Sequence, residues 1–314
     1  LIFSILPDRS PIKWTHGEQC KSTYDVLLNM SLSNVVHETD NFCSMISSEL
    51  KCRPKGSDTL VCRFVNGKIR RPDPEDTRCT NAKNFVPINA RFINEDPFEI
   101  RFNSKGIENL VVSRTIPRWR LDMIRMIVSQ LNVGFEVEKG YQRFVAMENS
   151  SIGYCEVEIN MSRAGYGSRK DTEDEEEDER DLEIVFEPPR PGVIPLDRGI
   201  LLIHKVRHPK VCPNRKVYFF GNHEDFSGGV NGTYMDMTTS ISHMRISENE
   251  MESYTETRGV MKTSREPRTM RMYQKISLTL KSVTPARNSW PEIPNPASTN
   301  LYAYSPVEHT PESA

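Results

Sequence analysis

Apolar and polar residues alternate with period two through much of this chain, and one stretch departs from that rhythm. Pro97-Phe98-Glu99-Ile100-Arg101-Phe102 has the pattern of a half-buried strand, Asn103-Ser104-Lys105-Gly106 supplies turn chemistry, and residues 107–114 read as the returning strand. Directly afterwards Trp119, Met123, Ile124, Ile127, Val128 and Leu131 recur three or four apart, which puts them on one face of a helix. Arg118, Asp122, Arg125 and Ser129 lie largely on the other side. Pro117 suits the first helical position, and Gly134 stands where a helix stop belongs. An amphipathic helix in a chain dominated by strand patterns needs a large apolar surface to lie on.

The surrounding chain supplies such surfaces. Residues 24–30, 45–51 and 60–65 read as strands, with a turn at Lys55–Asp58 and another turn signal at Asn66-Gly67 before Lys68-Ile69-Arg70. Residues 71–84 read as a polar loop and 143–147 as a strand. In 155–160 Cys155, Val157 and Ile159 face one way, and Glu156, Glu158 and Asn160 the other. Strand patterns resume at 199–203, 216–220 and 240–246. In 272–283 Met272, Ile276, Leu278 and Leu280 alternate with polar residues, as in an antiparallel strand with one wet face.

Two stretches break the pattern. Residues 169–183 hold a run of Asp and Glu too charged to bury, and are expected to be a solvated, disordered insertion. From 284 to 314 prolines recur, which predicts an extended linker. At the other end Leu1-Ile2-Phe3-Ser4-Ile5-Leu6 reads either as the remnant of a signal-peptide apolar region or as a β-edge.

Composition narrows the function. A net charge of −2 over 314 residues argues against a dedicated nucleic-acid binder. No run approaches the roughly 20 apolar residues of a membrane-spanning helix. The seven cysteines form no close C-x-x-C pair, which disfavours a structural zinc site. Cys52 and Cys62 flank the Lys55–Asp58 turn and so would lie nearly opposite each other. Four N-glycosylation sequons, at Asn29, Asn149, Asn160 and Asn231, together with the cysteines favour a secreted, disulfide-bearing glycoprotein.

Catalysis finds no support. G-x-S-x-G, H-E-x-x-H, Walker A and dinucleotide patterns are lacking, and His16, His37 and His223 have no matched neighbour in sequence. His204 and His208, in strand context, would stand roughly 13 Å apart, too far to share a metal. The chain reads as a non-enzyme with no cofactor and no metal. Arg114, Arg118, Arg120 and Arg125 gather around the helix, and Arg258, Lys262, Arg265, Arg268 and Arg271 recur later. They form either a positive surface for an acidic receptor, anionic lipid or DNA, or an ordinary solvated face.

Several segments carry a resemblance in order along the chain: Trp14-Thr15-His16-Gly17, residues 60–67, 97–102, Lys105-Gly106, 116–131, 144–150, 153–157, the region of Cys212, and 295–301. Together they resemble insect vitellogenins, large lipid transfer proteins that are precursors of yolk. The resemblance implies a mainly β fold over 1–283, an antiparallel β-barrel wrapped around one central helix. It makes 284–314 a linker towards a helical domain. It also implies a disulfide between Cys155 and Cys212 joining two barrel strands. As function it implies a secreted, extracellular module of a yolk lipoprotein that carries lipid, forms a homodimer as the parent and binds a low-density-lipoprotein-receptor-type vitellogenin receptor. The alternative is a vitellogenin-like defence module that binds membranes or DNA. Cys20, Cys43, Cys52, Cys62 and Cys79 are additions to the family pattern, as is the acidic insertion.

Overall fold

A computed structural model describes residues 2–4, 24–37, 42–56, 58–72, 85–88, 96–103, 105–135, 142–164, 185–187, 200–212, 233–247, 250–263, 269–286 and 289–301. The elements in chain order begin with β1 (Ile2–Ser4), β2 (Tyr24–His37), β3 (Phe42–Pro54), β4 (Thr59–Pro72), β5 (Phe85–Ile88), β6 (Phe98–Asn103) and β7 (Gly106–Ser113). The single described α-helix follows, α1 (Arg118–Val128), extended by a 3-10 turn at Ser129–Leu131. The remainder is β8 (Gln142–Asn149), β9 (Tyr154–Ala164), β10 (Val185–Glu187), β11 (Ile200–Arg207), β12 (Thr233–Ile246), β13 (Met251–Thr263), β14 (Thr269–Pro285) and β15 (Pro296–Thr299). None of the described helices is long and apolar enough to cross a membrane.

One antiparallel sheet holds nearly all of these strands, in the order β15-β7-β6-β4-β3-β2-β14-β13-β12-β11-β9-β8, with β5 added on β4. Among the described residues β1 pairs with β10 alone. Alternation within strands matches the faces: Val26, Leu28, Met30 and Leu32 on β2 and Met272, Ile276 and Leu278 on β14 are buried. On β9 Cys155, Val157 and Ile159 point inward and Glu156 and Glu158 outward, as their spacing requires.

The sheet curves about α1. Every residue from Leu121 to Val128 is buried, so the helix is enclosed on its polar side as well as its apolar one. Met123, Ile124, Ile127, Val128 and Leu131 all lie in the core. The side chains of Trp119 and Arg118 lie outside the described residues. Side-chain bonds from α1 and the turns after it reach both ends of the sheet: Arg125 bonds to Thr299 on β15, and Asn132 to Glu148 on β8.

Two expectations are corrected here, and a third is not confirmed. The strand path has two ends, and no ladder among the described residues joins β8 to β15, so the barrel itself is not confirmed. Side chains of the helix unit bond to both end strands, Arg125 to Thr299 and Asn132 to Glu148. Asn66-Gly67 does not reverse the chain. Asn66 has φ 57°, and the register shift opposite Ser47 and Glu49 makes it a bulge inside β4. Nor is the proline-rich stretch wholly a linker, because Pro296–Thr299 pairs with β7 and adds the end strand. The acidic residues 169–183, the strand expected at 216–220, Asn231, His16, His223, Cys20 and Cys79 lie outside the described residues, as do 302–314.

Candidate functional site

The densest polar chemistry sits inside the sheet, at the C-terminal end of the helix. β11 has Leu201, Ile203, Lys205 and Arg207 on its inward face, so two cations occupy positions in phase with the apolar ones. β8 brings Glu148 to them, 4% exposed. Lys205 Nζ donates to Glu148 Oε1 at 2.6 Å and to the Asn132 carbonyl at 2.9 Å. Arg207 grips Glu148 Oε2 through Nε at 2.9 Å and Nη2 at 2.5 Å. Its Nη1 donates to Ser242 Oγ at 2.6 Å. Ser242 Oγ lies 2.7 Å from Thr255 Oγ1, which donates to Gln130 Oε1 at 2.9 Å. The result is a ring of bonds linking the turn after α1 with β8, β11, β12 and β13.

Glycine makes the close approach workable. Gly134 has φ +81°, and a Cβ there would lie 2.5 Å from Glu148 Oε1, so a side chain would displace the carboxylate. The residue expected to stop the helix also makes room for the ion centre.

Burial and charge compete in this centre. Burial alone would push the Glu148 pKa up, but Arg207 and Lys205, by charge and hydrogen bond, hold it below its ordinary value. For Lys205 burial dominates, opposed by Glu148 and reinforced by Arg207, and its pKa is brought down to about 8. Both lowered values make stability rise with pH, in separate windows. Stability from Glu148 is present above its ordinary 4.5 and is lost as pH falls through the lowered value. Between about 8 and 10.5 the unfolded lysine still holds a proton that the folded one has released, so Lys205 makes stability rise with pH across that window. Denaturant midpoints measured across pH should show the alkaline rise in the parent and not in Lys205→Met. A rise of equal size in the variant would contradict the assignment.

The neighbouring cavity, about 40 Å³ and lined by Gln130, Glu148, Arg207, Thr255 and Gln274 among others, has room for about a water molecule. A centre so enclosed and mutually bonded holds the fold together, with no space for a substrate. Among the described residues no three His, Cys, Asp or Glu side chains are grouped to hold a metal ion.

The arginines expected to share one surface are dispersed. Arg125 is 1% exposed and bonds to the Asn300 carbonyl at 2.9 Å, Thr299 Oγ1 at 2.6 Å and Asp122 at 3.5 Å. It is therefore no receptor or anion contact, because the enclosed helix turns its polar side inward too. Arg120 pairs with Asp96 at 3.0 Å, and the Arg114 N–H donates to the Asn295 carbonyl. Of the later cations Arg258 lies on the outer face, 6.0 Å from the Tyr273 ring, and Arg271 is exposed.

The outer face also carries a cross-strand row. Asn160, His204, His243 and Tyr254 are register partners on β9, β11, β12 and β13. The His204 and His243 rings are 4.5 Å apart, those of His243 and Tyr254 4.7 Å, and Lys275 Nζ sits 4.2 Å from the Tyr254 ring centre. Burial, then His204, push the His243 pKa down. His208, beyond the end of β11, faces Glu158. Asn29 and Asn149 are exposed and Asn160 half-buried.

Two disulfides are present among the described residues. Cys52 and Cys62 are directly paired across β3 and β4 and bonded. Cys155 bonds to Cys212, which lies just past the 3-10 turn Pro209–Val211, so the bridge ties β9 to the turn after β11 and not to a second strand.

Comparison with known proteins places this architecture. The vitellogenin N-terminal domain family matches residues 24–288, from the first residue of β2 to just beyond β14. The chain belongs to that family. A solved structure of lipovitellin, reported for its lipid–protein interactions, is similar with a TM-score of 0.52 and 12% identity, over 94% of this chain. The chain spans 28% of that lipovitellin chain, and at this identity the likeness speaks for the fold.

Sequence reasoning missed Glu148, Lys205 and Arg207. Period two could not have found them, because Val145 and Met147 on β8 and Ile200, Leu202 and Val206 on β11 make the opposite phase as apolar as the buried one. Only the pairing of the strands decides which phase is buried, and the charges there then need partners on another element.

Proposed function

We propose that this chain is the N-terminal module of a secreted yolk-precursor lipoprotein that takes part in lipid transport and nutrient storage and binds an oocyte receptor of the low-density-lipoprotein-receptor type. The family match across residues 24–288 carries this reading. Because α1 fills the interior of this sheet, lipid carriage is assigned to surfaces the module forms with the rest of its parent. The two disulfides and the outward Asn29 and Asn149 support an extracellular setting.

Two measurements test it. The parent protein, purified from its natural source and extracted with organic solvent, is expected to yield bound phospholipid and neutral lipid by mass spectrometry. A lipid-free parent would exclude the carrier role. Receptor-ectodomain binding is expected to weaken steeply between about 50 and about 500 mM salt, since cationic side chains meeting acidic receptor repeats are screened. Binding unchanged over that range would exclude an electrostatic mode. The membrane- or DNA-binding alternative is less well supported, because the basic surface it needs loses Arg125 to the interior and engages Arg120 with Asp96.

A further inference from the structure

Asn160 and Ser162, the two ends of one N-glycosylation sequon, each head a cross-strand row on the outer face of the sheet. Register carries one row from Asn160 on β9 through His204 on β11 and His243 on β12 to Tyr254 on β13. A parallel row, two residues away on each strand, runs through Ser162, Leu202, Arg245 and Glu252. A pocket of about 330 Å³ is lined by both rows. Rings fill the first row at the spacing of the strands themselves. His204 and His243 are 4.5 Å apart and His243 and Tyr254 4.7 Å, and Lys275 Nζ, from β14, lies 4.2 Å from the Tyr254 ring centre. One strand beyond His204, at the opposite end of the stack, stands Asn160.

We propose that Asn160 carries an N-linked glycan whose first sugar packs into this pocket against the His204 ring. The proposal rests on the extracellular setting argued above, because such glycans are attached to secreted chains. A pyranose has one face of C–H bonds, which suits an aromatic neighbour, and hydroxyls at its edge, which need polar partners. His204 offers the first beside the point of attachment. Arg245 and Glu252 offer the second across the pocket, and Arg245 is exposed although it pairs with Glu250 at 3.6 Å. The sugar covers Leu202, otherwise 39% exposed among polar neighbours. Burial, then His204, hold the His243 pKa below its ordinary 6.5, so that imidazole is uncharged at neutral pH and the stack keeps its apolar character. Asn29, by contrast, has Glu49 and Thr279 as register partners in place of a ring.

The 314-residue chain, secreted from eukaryotic cells, tests the proposal. Glycopeptide mass spectrometry is expected to find Asn160 occupied. Asn160 bare beside an occupied Asn29 or Asn149 overturns the proposal and leaves the extracellular reading standing; all three bare overturns both. An endoglycosidase that cuts between the first two sugars then reads the packing. It should release the Asn160 glycan from the intact chain about tenfold more slowly than from its own proteolytic glycopeptide. His204→Ala should reduce that protection to about threefold or less, and His204→Phe, which keeps an aromatic face, should retain it. The comparison of intact chain with peptide needs no variant, so the test stands should His204→Ala fail to fold. Release from the intact chain as fast as from the peptide, or full protection in His204→Ala, overturns the proposal.

Discussion

Glu148→Gln is expected to destabilise the chain by about 3–5 kcal/mol, the range for removing one partner of a buried ion pair. The variant keeps the shape of the side chain and removes the one charge among the described residues that the Lys205 and Arg207 side chains share. Gln offers one carbonyl oxygen where two carboxylate oxygens now accept four donors, from Lys205, Arg207 and Asn132. Its NH2 would turn towards a cation. Lys205 has a way out, since its pKa is already down to about 8 and would fall further without Glu148, allowing it to go neutral. Two signatures follow. The thermal midpoint should drop by roughly 10 °C or more, given about 2–4 °C per kcal/mol for a domain of this size. Part of that loss should return as pH rises to about 9, and part should return in Glu148→Gln with Lys205→Met, where one buried cation is gone. A single variant melting within two or so degrees of the parent would show that the centre is hydrated or loosely bonded, contrary to the geometry.

Removing the Cys155–Cys212 bridge should cost a similar amount by a different route. The closed loop spans 57 residues in sequence, and the chain-entropy relation for cross-links then gives about 4 kcal/mol, through greater freedom of the unfolded chain. The Cys52–Cys62 bridge closes only 10 residues, for which the same relation gives about 3 kcal/mol. Cys155→Ser with Cys212→Ser is therefore expected to lower the denaturant midpoint more than Cys52→Ser with Cys62→Ser. The bridge also fixes the turn after β11, the strand that presents Lys205 and Arg207. Loss of Cys155–Cys212 should thus speed hydrogen exchange at the amides of β11 and β9 before those of β2 and β3. Equal midpoints in the two double variants would refute the loop-length ordering.

Much of the fold was legible in the residues. Period two marked β6, β9 and β14, three- and four-residue spacing marked α1, and the Lys55–Asp58 turn placed Cys52 opposite Cys62. The failures have a common cause. Asn66-Gly67 carries turn chemistry, yet the same backbone preference serves a bulge when both flanking segments find the same partner strand. The proline-rich stretch after β14 lacks any internal reason to be ordered, and Pro296–Thr299 becomes a strand only because β7 has an edge to offer and Arg125 holds Thr299 and Asn300 from beneath. Arg125 itself reads as a solvent residue from its helix alone.

The sequence by itself therefore determined which residues could share a face: the apolar stripe of α1, the inward set of each long strand, and the hairpin that brings Cys52 to Cys62. These depend on spacing of a few residues, within reach of backbone geometry. The tertiary structure decided what each face meets. It enclosed the polar side of α1 and joined Glu148 to Lys205 and Arg207 across 57 and 59 residues of chain. The physical reason is that a buried charge is tolerable only beside its partner, and that partner lies far away in sequence, on a strand whose position the whole sheet must first define.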